Sequence, residues 1–241
     1  MKSIIITGSS RGIGYETAYL LAKDYDYIAI CCSKDTKKLG ELMDKIKAMG
    51  KQCLAMVGDV ADYNFAKEMV DKVISDAGEV TTLINNAAIS QVGLFTDTTP
   101  DSWQQIMNVN VNSVYNFCHA ALPHMINKKS GQIINISSVW GLVGASCEVA
   151  YSTTKGAINA FTKALAKELA PSNISVNAIA FGAVNTTMNG HLSDDEIAQL
   201  EEEIPYGRMC TPIEAAKCIK GILNMPEYLT GEVIKFDGGW I

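Results

Sequence analysis

The 241-residue sequence predicts an α/β protein, a doubly wound and mostly parallel sheet with helices on both faces. Three observations carry that prediction. Short β-branched runs alternate with longer segments of helical period, the pattern of repeated β-α-β units. Hydrophobic residues make up 48% of the chain, and no linker, repeat or low-complexity stretch divides it, so one domain over residues 1–241 is expected. A glycine-rich turn follows directly on the first apolar run. In order, strands are predicted at 3–7, 26–32, 52–57, 80–85, 131–137, 173–180 and 231–236, with helices between them. Right-handed crossovers then leave the ligand crevice at the carboxyl ends of the strands. One stretch is irregular. Residues 183–210, with Asn189-Gly190, the acidic run Asp194-Asp195-Glu196 and Glu201-Glu202-Glu203, read as an inserted helical flap over the substrate.

Composition excludes several classes of function. The 20 basic and 26 acidic residues give a net charge of -6, and no basic stripe offers a nucleic-acid surface. The segment Met1–Ile6 is too short for the apolar region of a signal peptide, and no stretch is long and apolar enough to span a bilayer. A soluble, cytoplasmic protein is expected. Seven cysteines (31, 32, 53, 118, 147, 210 and 218) lack paired spacing and are expected as reduced, mostly buried thiols. His119, His124 and His191 combine with no cysteine or carboxylate at a ligand spacing, so no catalytic metal is expected.

The chemistry begins at Thr7-Gly8-Ser9-Ser10-Arg11-Gly12-Ile13-Gly14, after Ile4-Ile5-Ile6 and before a helical pattern. Glycines let backbone approach a pyrophosphate, and a helix N-terminus attracts its charge. Dinucleotide binding is the expectation, the alternative being a glycine-rich turn with no ligand. An acidic residue at the end of the second strand would hold a ribose 2′-hydroxyl. The chain instead reads Cys31-Cys32-Ser33-Lys34. With Arg11, Ser33 and Lys34 available to a 2′-phosphate, NADP(H) is expected over NAD(H), although Asp35 stands near enough to blunt that field.

Ser138 lies thirteen residues before Tyr151, and Lys155 follows four residues later. The Tyr-x-x-x-Lys spacing alone is weak, since Tyr19 with Lys23 and Tyr63 with Lys67 repeat it; those pairs are read as ordinary helix surface. Reducing a ketone needs hydride at carbon and a proton for the oxygen. Tyr151 supplies the proton, Ser138 is a second donor to the oxygen, and Lys155, one helical turn on, together with the nicotinamide cation favours the phenolate and brings the phenol toward working pH.

In this order the motifs resemble a short-chain dehydrogenase/reductase over nearly the whole chain, which implies a Rossmann-like fold. By that resemblance Asp59 and Val60 contact the adenine, Asn85-Asn86-Ala87-Ala88 passes the cofactor, and Asn110 orients a water that relays protons toward Lys155. Lys155 also holds the nicotinamide ribose. Gly182 and Val184 fall in the nicotinamide-side loop, where Thr186 matches a threonine that contacts the amide. The cofactor-binding set is thus Gly8, Ser10, Arg11, Gly12, Ile13, Gly14, Ser33, Lys34, Asp59, Val60, Asn86, Ala87, Tyr151, Lys155, Gly182, Val184 and Thr186. Two positions depart from the family pattern. Ala88 replaces a glycine, tolerable if its φ is negative, and Phe181 replaces a proline, which implies a looser loop.

Residues 139–150 are expected to line the pocket, with Trp140 as an apolar wall. The segments at Tyr206-Gly207-Arg208 and from Thr230 to Gly239 resemble 3-oxoacyl-acyl-carrier-protein reductases, which makes a β-ketoacyl thioester the first substrate expected. An acidic carrier protein would then dock on Lys128 and Lys129, placed at the mouth of the site, although Ser172 stands where a second basic residue is common. Residues 138–148 also resemble reductases of the 5-aminopentanone group on elongation factor P, whose amine would meet Glu148; the alternative is a solvated loop glutamate. A non-catalytic redox sensor or scaffold is the reading from another class. The resemblance further implies a homotetramer, with the helices carrying Asn110 and Tyr151 and the tail Phe236–Ile241 at its interfaces.

Overall fold

The computed structural model describes residues 1–190 and 192–241; His191, read above as no metal ligand, lies outside them. Seven parallel strands pair in the order β3-β2-β1-β4-β5-β6-β7. They are β1 (Ser3–Ile6), β2 (Tyr27–Cys32), β3 (Gln52–Val57), β4 (Thr82–Asn85), β5 (Gly131–Ser138), β6 (Ile174–Phe181) and β7 (Val233–Phe236). Each lies within two residues of its expected bounds. The order runs outward from β1 in one direction and from β4 in the other, so a crevice opens where they part.

Side chains alternate across the sheet and both faces are covered. Ile5, Ala29, Cys31, Leu83 and Ile133 enter the core beneath α3 (Tyr63–Ala77), α5 (Ser113–Lys128) and α7 (Val149–Leu169). Ile4, Ile6, Ile28, Ile30, Ile84 and Ile134 enter the core beneath α1 (Gly12–Leu21), α2 (Thr36–Ala48) and α9 (Pro212–Leu223). Burial on both faces is why these strands read as unbroken apolar runs.

Three local devices place the site. First, α4 (Pro100–Met107) continues into α5 through a π-helical turn, Asn108–Asn112, a feature that periodicity does not signal. Second, the short helix α6 (Trp140–Val143) lies against α7, and only a glycine fits at 141, since a Cβ there would stand 2.6 Å from the Lys155 carbonyl carbon. Third, the ends of 183–210 meet: Cys210 N–H donates to Ala183 O at 2.9 Å and Asn185 N–H to Cys210 O at 2.8 Å. Between those ends lies α8 (Asp194–Glu203), opened by a Ser193/Glu196 capping box, with its acidic run at the positive end of the helix dipole.

Candidate active site

A cleft of about 820 Å³ runs along the carboxyl ends of the strands. Its floor is the turn between β1 and α1. Gly8 has φ +69° and Gly12 φ +58°, conformations open to glycine. Gly14 is fixed by space instead, since a Cβ would lie 2.4 Å from the Gly8 carbonyl oxygen. Asn86 braces this turn by donating from Nδ2 to Thr7 O at 2.8 Å and Gly8 O at 3.0 Å. Its carboxamide nitrogen thus supports the floor. The Thr7 hydroxyl oxygen accepts the amides of Asn86 and Ala87. Ala88 is outside the residues with positive φ, as its methyl requires.

At one end of the cleft stand Cys32, Ser33, Lys34, Gly58, Asp59 and Val60. Arg11 and Lys34 are exposed there, while Asp35 is engaged elsewhere: it caps α2 through Lys38 N–H and pairs with Lys38 Nζ at 3.9 Å. Lys38 itself lines an adjoining pocket with Ser10, Arg11 and Gly12. The sequence reading missed it, although a cation in the first turn of the helix after β2 was a usable signal. Asp59 turns back to accept the Ala61 amide at 2.9 Å.

At the other end, Ser138 closes β5 and Tyr151 and Lys155 project from the first turns of α7; all three line the cleft with Trp140 and Glu148. Lys155 is 3% exposed, donates to Ile136 O at 2.8 Å and stands 5.4 Å from the centre of the Tyr151 ring. Burial lowers its ammonium to about 8. The protein's own groups act on Tyr151 in the opposite sense to a cofactor cation. Burial and then the Glu148 charge raise its phenol above the ordinary range, opposed by the Ser138 hydroxyl.

Asn110 is brought near but not into the cleft. The π-helical turn sends its side chain inward at 1% exposure, where Oδ1 accepts Ile89 N–H at 2.8 Å and Nδ2 donates to Ile89 O and the Thr154 hydroxyl. It straps the loop after β4 to α7, and both of its donors are taken, so the relay role faces a carboxamide already engaged. The loop at Phe181 is not loose either. Phe181 ends β6 at 3% exposure, its ring meets Phe236 edge to face at 5.8 Å, and Gly182 N–H donates to Phe236 O. Strand pairing supplies the restraint that a proline would have given.

Gly182, Val184 and Thr186 line the cleft as expected. Glu148 is half-buried and accepts the Ser90 hydroxyl at 2.8 Å, so it is tied to the loop after β4 while part of it still meets solvent. Ser90, 58 positions away, carried no local signal. Trp140 packs on Trp240 with ring centres 4.8 Å apart, a contact equally hidden in the sequence. Lys128 and Lys129 do not flank this mouth. They precede β5, whereas Ser138 ends it, a separation of about 25 Å over eight residues of strand; Ser172, before β6, lies at the same far end. Of the other Tyr-x-x-x-Lys pairs, Tyr63 bonds His119 and Lys67 pairs with Asp71, while Tyr19 and Lys23 are exposed and do not line the cleft.

All seven cysteines are free; Cys31, Cys32 and Cys118 are buried and the other four half-buried. Burial pushes the Cys31 and Cys118 thiols up to about 12. Among the described residues no group of three or more His, Cys, Asp or Glu could hold a metal, and no helix is long and apolar enough to cross a membrane.

The cleft fits an extended dinucleotide: glycine backbone where a pyrophosphate would lie, cations at one end and a buried Tyr-Lys pair at the other. Comparison agrees. The short chain dehydrogenase family matches residues 2–197. An oxidoreductase of Bacillus subtilis, YmfI, described as uncharacterized, is 36% identical over 99% of this chain and 98% of its own length. The 3-oxoacyl-acyl-carrier-protein reductase FabG of Staphylococcus aureus is 34% identical over 99% of this chain and 97% of its own. That of Chlamydia muridarum is 34% identical over 99% and 96%. Matches that run from end to end through the glycine-rich turn and the Ser-Tyr-Lys wall place this chain in the short-chain dehydrogenase/reductase family, as an oxidoreductase of alcohol and ketone groups that uses a nicotinamide dinucleotide.

Proposed function

We propose that the protein is an NADPH-dependent ketone reductase, with a 3-oxoacyl thioester as its first substrate class. The observation that carries the reading is the meeting of Ser138, Tyr151 and Lys155 on one wall, across the cleft from the glycine-rich turn. Reduced nicotinamide supplies the hydride. Gly8, Ser10, Gly12, Ile13 and Gly14 would hold the pyrophosphate side, Asp59, Val60 and Ala87 the adenosine side, and Gly182, Val184 and Thr186 the nicotinamide side. Arg11, Ser33 and Lys34 form the cationic end that favours a 2′-phosphate. The occupation of Asp35 by its helix cap and by Lys38 supports that preference.

Tyr151 gives its proton to the substrate oxygen as negative charge develops there, and the Ser138 hydroxyl donates a second hydrogen bond to it. Lys155 fixes the Tyr151 side of the wall through Ile136 and, when charged, steadies the phenolate left behind. Trp140 bounds the substrate, and segment 183–210 is the flap that covers it. The 34%-identical relatives named for 3-oxoacyl-acyl-carrier-protein reduction support the thioester reading. Exposed Tyr115 and Ile126 on α5 and Val149 on α7 are apolar surface that a homotetramer would cover; a cytoplasmic setting is part of the same proposal.

One observation favours a second substrate, the 5-aminopentanone group on elongation factor P. Glu148 is a cleft carboxylate with no cationic partner among the described residues, so an amine on the substrate would complete it. NADPH and NADH oxidation by the purified protein, with a β-ketoacyl thioester and an aminoketone side by side, tests both readings. Tyr151→Phe is expected to lower turnover by about 10²-fold or more while nucleotide binding persists. Equal turnover in the variant would overturn the assignment. Reduction of the aminoketone alone would select the second substrate.

A further inference from the structure

Glu148 occupies a helix N-terminus, a place that favours a carboxylate, but makes unusual use of it. It stands at the N-cap of the 21-residue helix α7, where a side-chain oxygen ordinarily accepts a helix amide, yet it makes no such cap. Its side chain turns instead toward the cleft and is fixed by the Ser90 hydroxyl at 2.8 Å, from the loop after β4. That loop is itself clamped, since Ile89 is gripped through both its N–H and its carbonyl by Asn110. A negative charge is thus held by two separate chain segments, three residues before the proton donor. Glu148 also opposes ionisation of the Tyr151 phenol, in the same direction as burial.

We propose that Glu148, fixed by Ser90, is a positioning residue that keeps a proton on Tyr151 and so commits the cleft to reducing its substrate rather than oxidising the product. The proposal rests on Tyr151 being the acid of the reaction, as above. Hydride and proton leave the enzyme side together in reduction, so the resting phenol must carry the proton it will give; oxidation needs the phenolate, which a fixed neighbouring charge disfavours. The remaining titratable groups lining the cleft are Arg11, Cys32, Lys34 and Asp59 at the far end and Lys155 beside the ring. Of the elements packed on α7, α4 offers Asp101 and β7 offers Lys235, which is paired with Asp237 at 3.4 Å. α6, β5, β6 and the π-helical turn carry no ionisable side chain. Glu148 is the negative charge closest in sequence to Tyr151 and the one held in place.

The test places 2,3-difluorotyrosine, a more acidic phenol, at position 151 and follows its ionisation by fluorine NMR in the ligand-free protein. Glu148→Gln is expected to raise its ionisation constant roughly threefold or more, the scale of one unit charge acting across a partly wet cleft. Ser90→Ala, which keeps the charge but releases it, is expected to move the midpoint the same way by less. The pH profile of alcohol oxidation should move down in parallel. A midpoint in Glu148→Gln that stays put or rises overturns the proposal, and a Ser90→Ala protein that titrates like the parent removes Ser90 from it. A purely structural role would lower the thermal midpoint of both variants without shifting the fluorine titration. No substrate enters that titration, so an unmoved midpoint counts against the pair alone, and absent turnover with a moving midpoint counts against the reductase reading alone.

Discussion

Lys155 is buried as an ammonium against its own solvation. Its pKa falls from 10.5 to about 8 because water is stripped from the charge, while its bond to Ile136 O repays part of that loss. The folded form releases its proton near pH 8 and the unfolded chain near 10.5, so between those values the unfolded state binds more protons and stability rises with pH. Below pH 8 the whole penalty is present, on the order of 3 kcal/mol from the size of the gap. Relative to Lys155→Met, the ligand-free parent protein should therefore gain stability as pH rises from 8 toward 10.5. Urea unfolding of both proteins across that window measures it, and a constant difference would show that the lysine is not desolvated. Residue placement was legible in the sequence where it depended on register: Ser138, Tyr151 and Lys155 meet because thirteen and four residues carry the chain from a strand end into the first turns of a helix. Ser90 and Trp240 were not legible, since each acts on a residue at least 58 positions away through contacts that only the folded sheet creates.

At the scale of elements, the strands were readable to within two residues because burial on both faces leaves continuous apolar runs whose ends are marked by polar turns. The π-helical turn was not. One turn of wider winding does not change which residues are apolar, yet it decides where Asn110 points. The turn from β1 into α1 shows the opposite case, in which the residue types report the geometry. At Gly14 an added methyl would stand 2.4 Å from Gly8 O and 2.5 Å from the Asn86 Nδ2 that braces it. Gly14→Ala should thus push α1 off the sheet, at a cost of about 1–3 kcal/mol for overpacking. Calorimetry of nucleotide binding alongside thermal melts should show both falling together; a variant that melts earlier but binds normally would mean that the floor does not depend on this contact. Lys128 and Lys129 teach a related lesson. They are near Ser138 in the sequence, but a strand is extended, and its length carries them to the other end of the sheet.

For the molecule as a whole, the sheet parts at β1 and β4 into a half ending in β2 and β3 and a half ending in β6 and β7. The cleft draws on both, from Cys32, Lys34 and Gly58 on one side to Phe181, Gly182 and Thr186 on the other. Across the seam itself the halves are joined by the β1–β4 pairing and by Asn86 on Thr7 and Gly8; above that floor, Thr186 stands over Gly12, where a Cβ would touch its methyl at 3.3 Å. A molecule lying along the crevice therefore acts as a splint across the seam. Its arrival should slow deuterium uptake at the carboxyl ends of β2 and β6 together, two strands that share no hydrogen bond, and by the same factor if the seam opens as one hinge. Protection confined to one side would mean that the halves breathe separately, and that the enzyme grips its nucleotide with two independent hands.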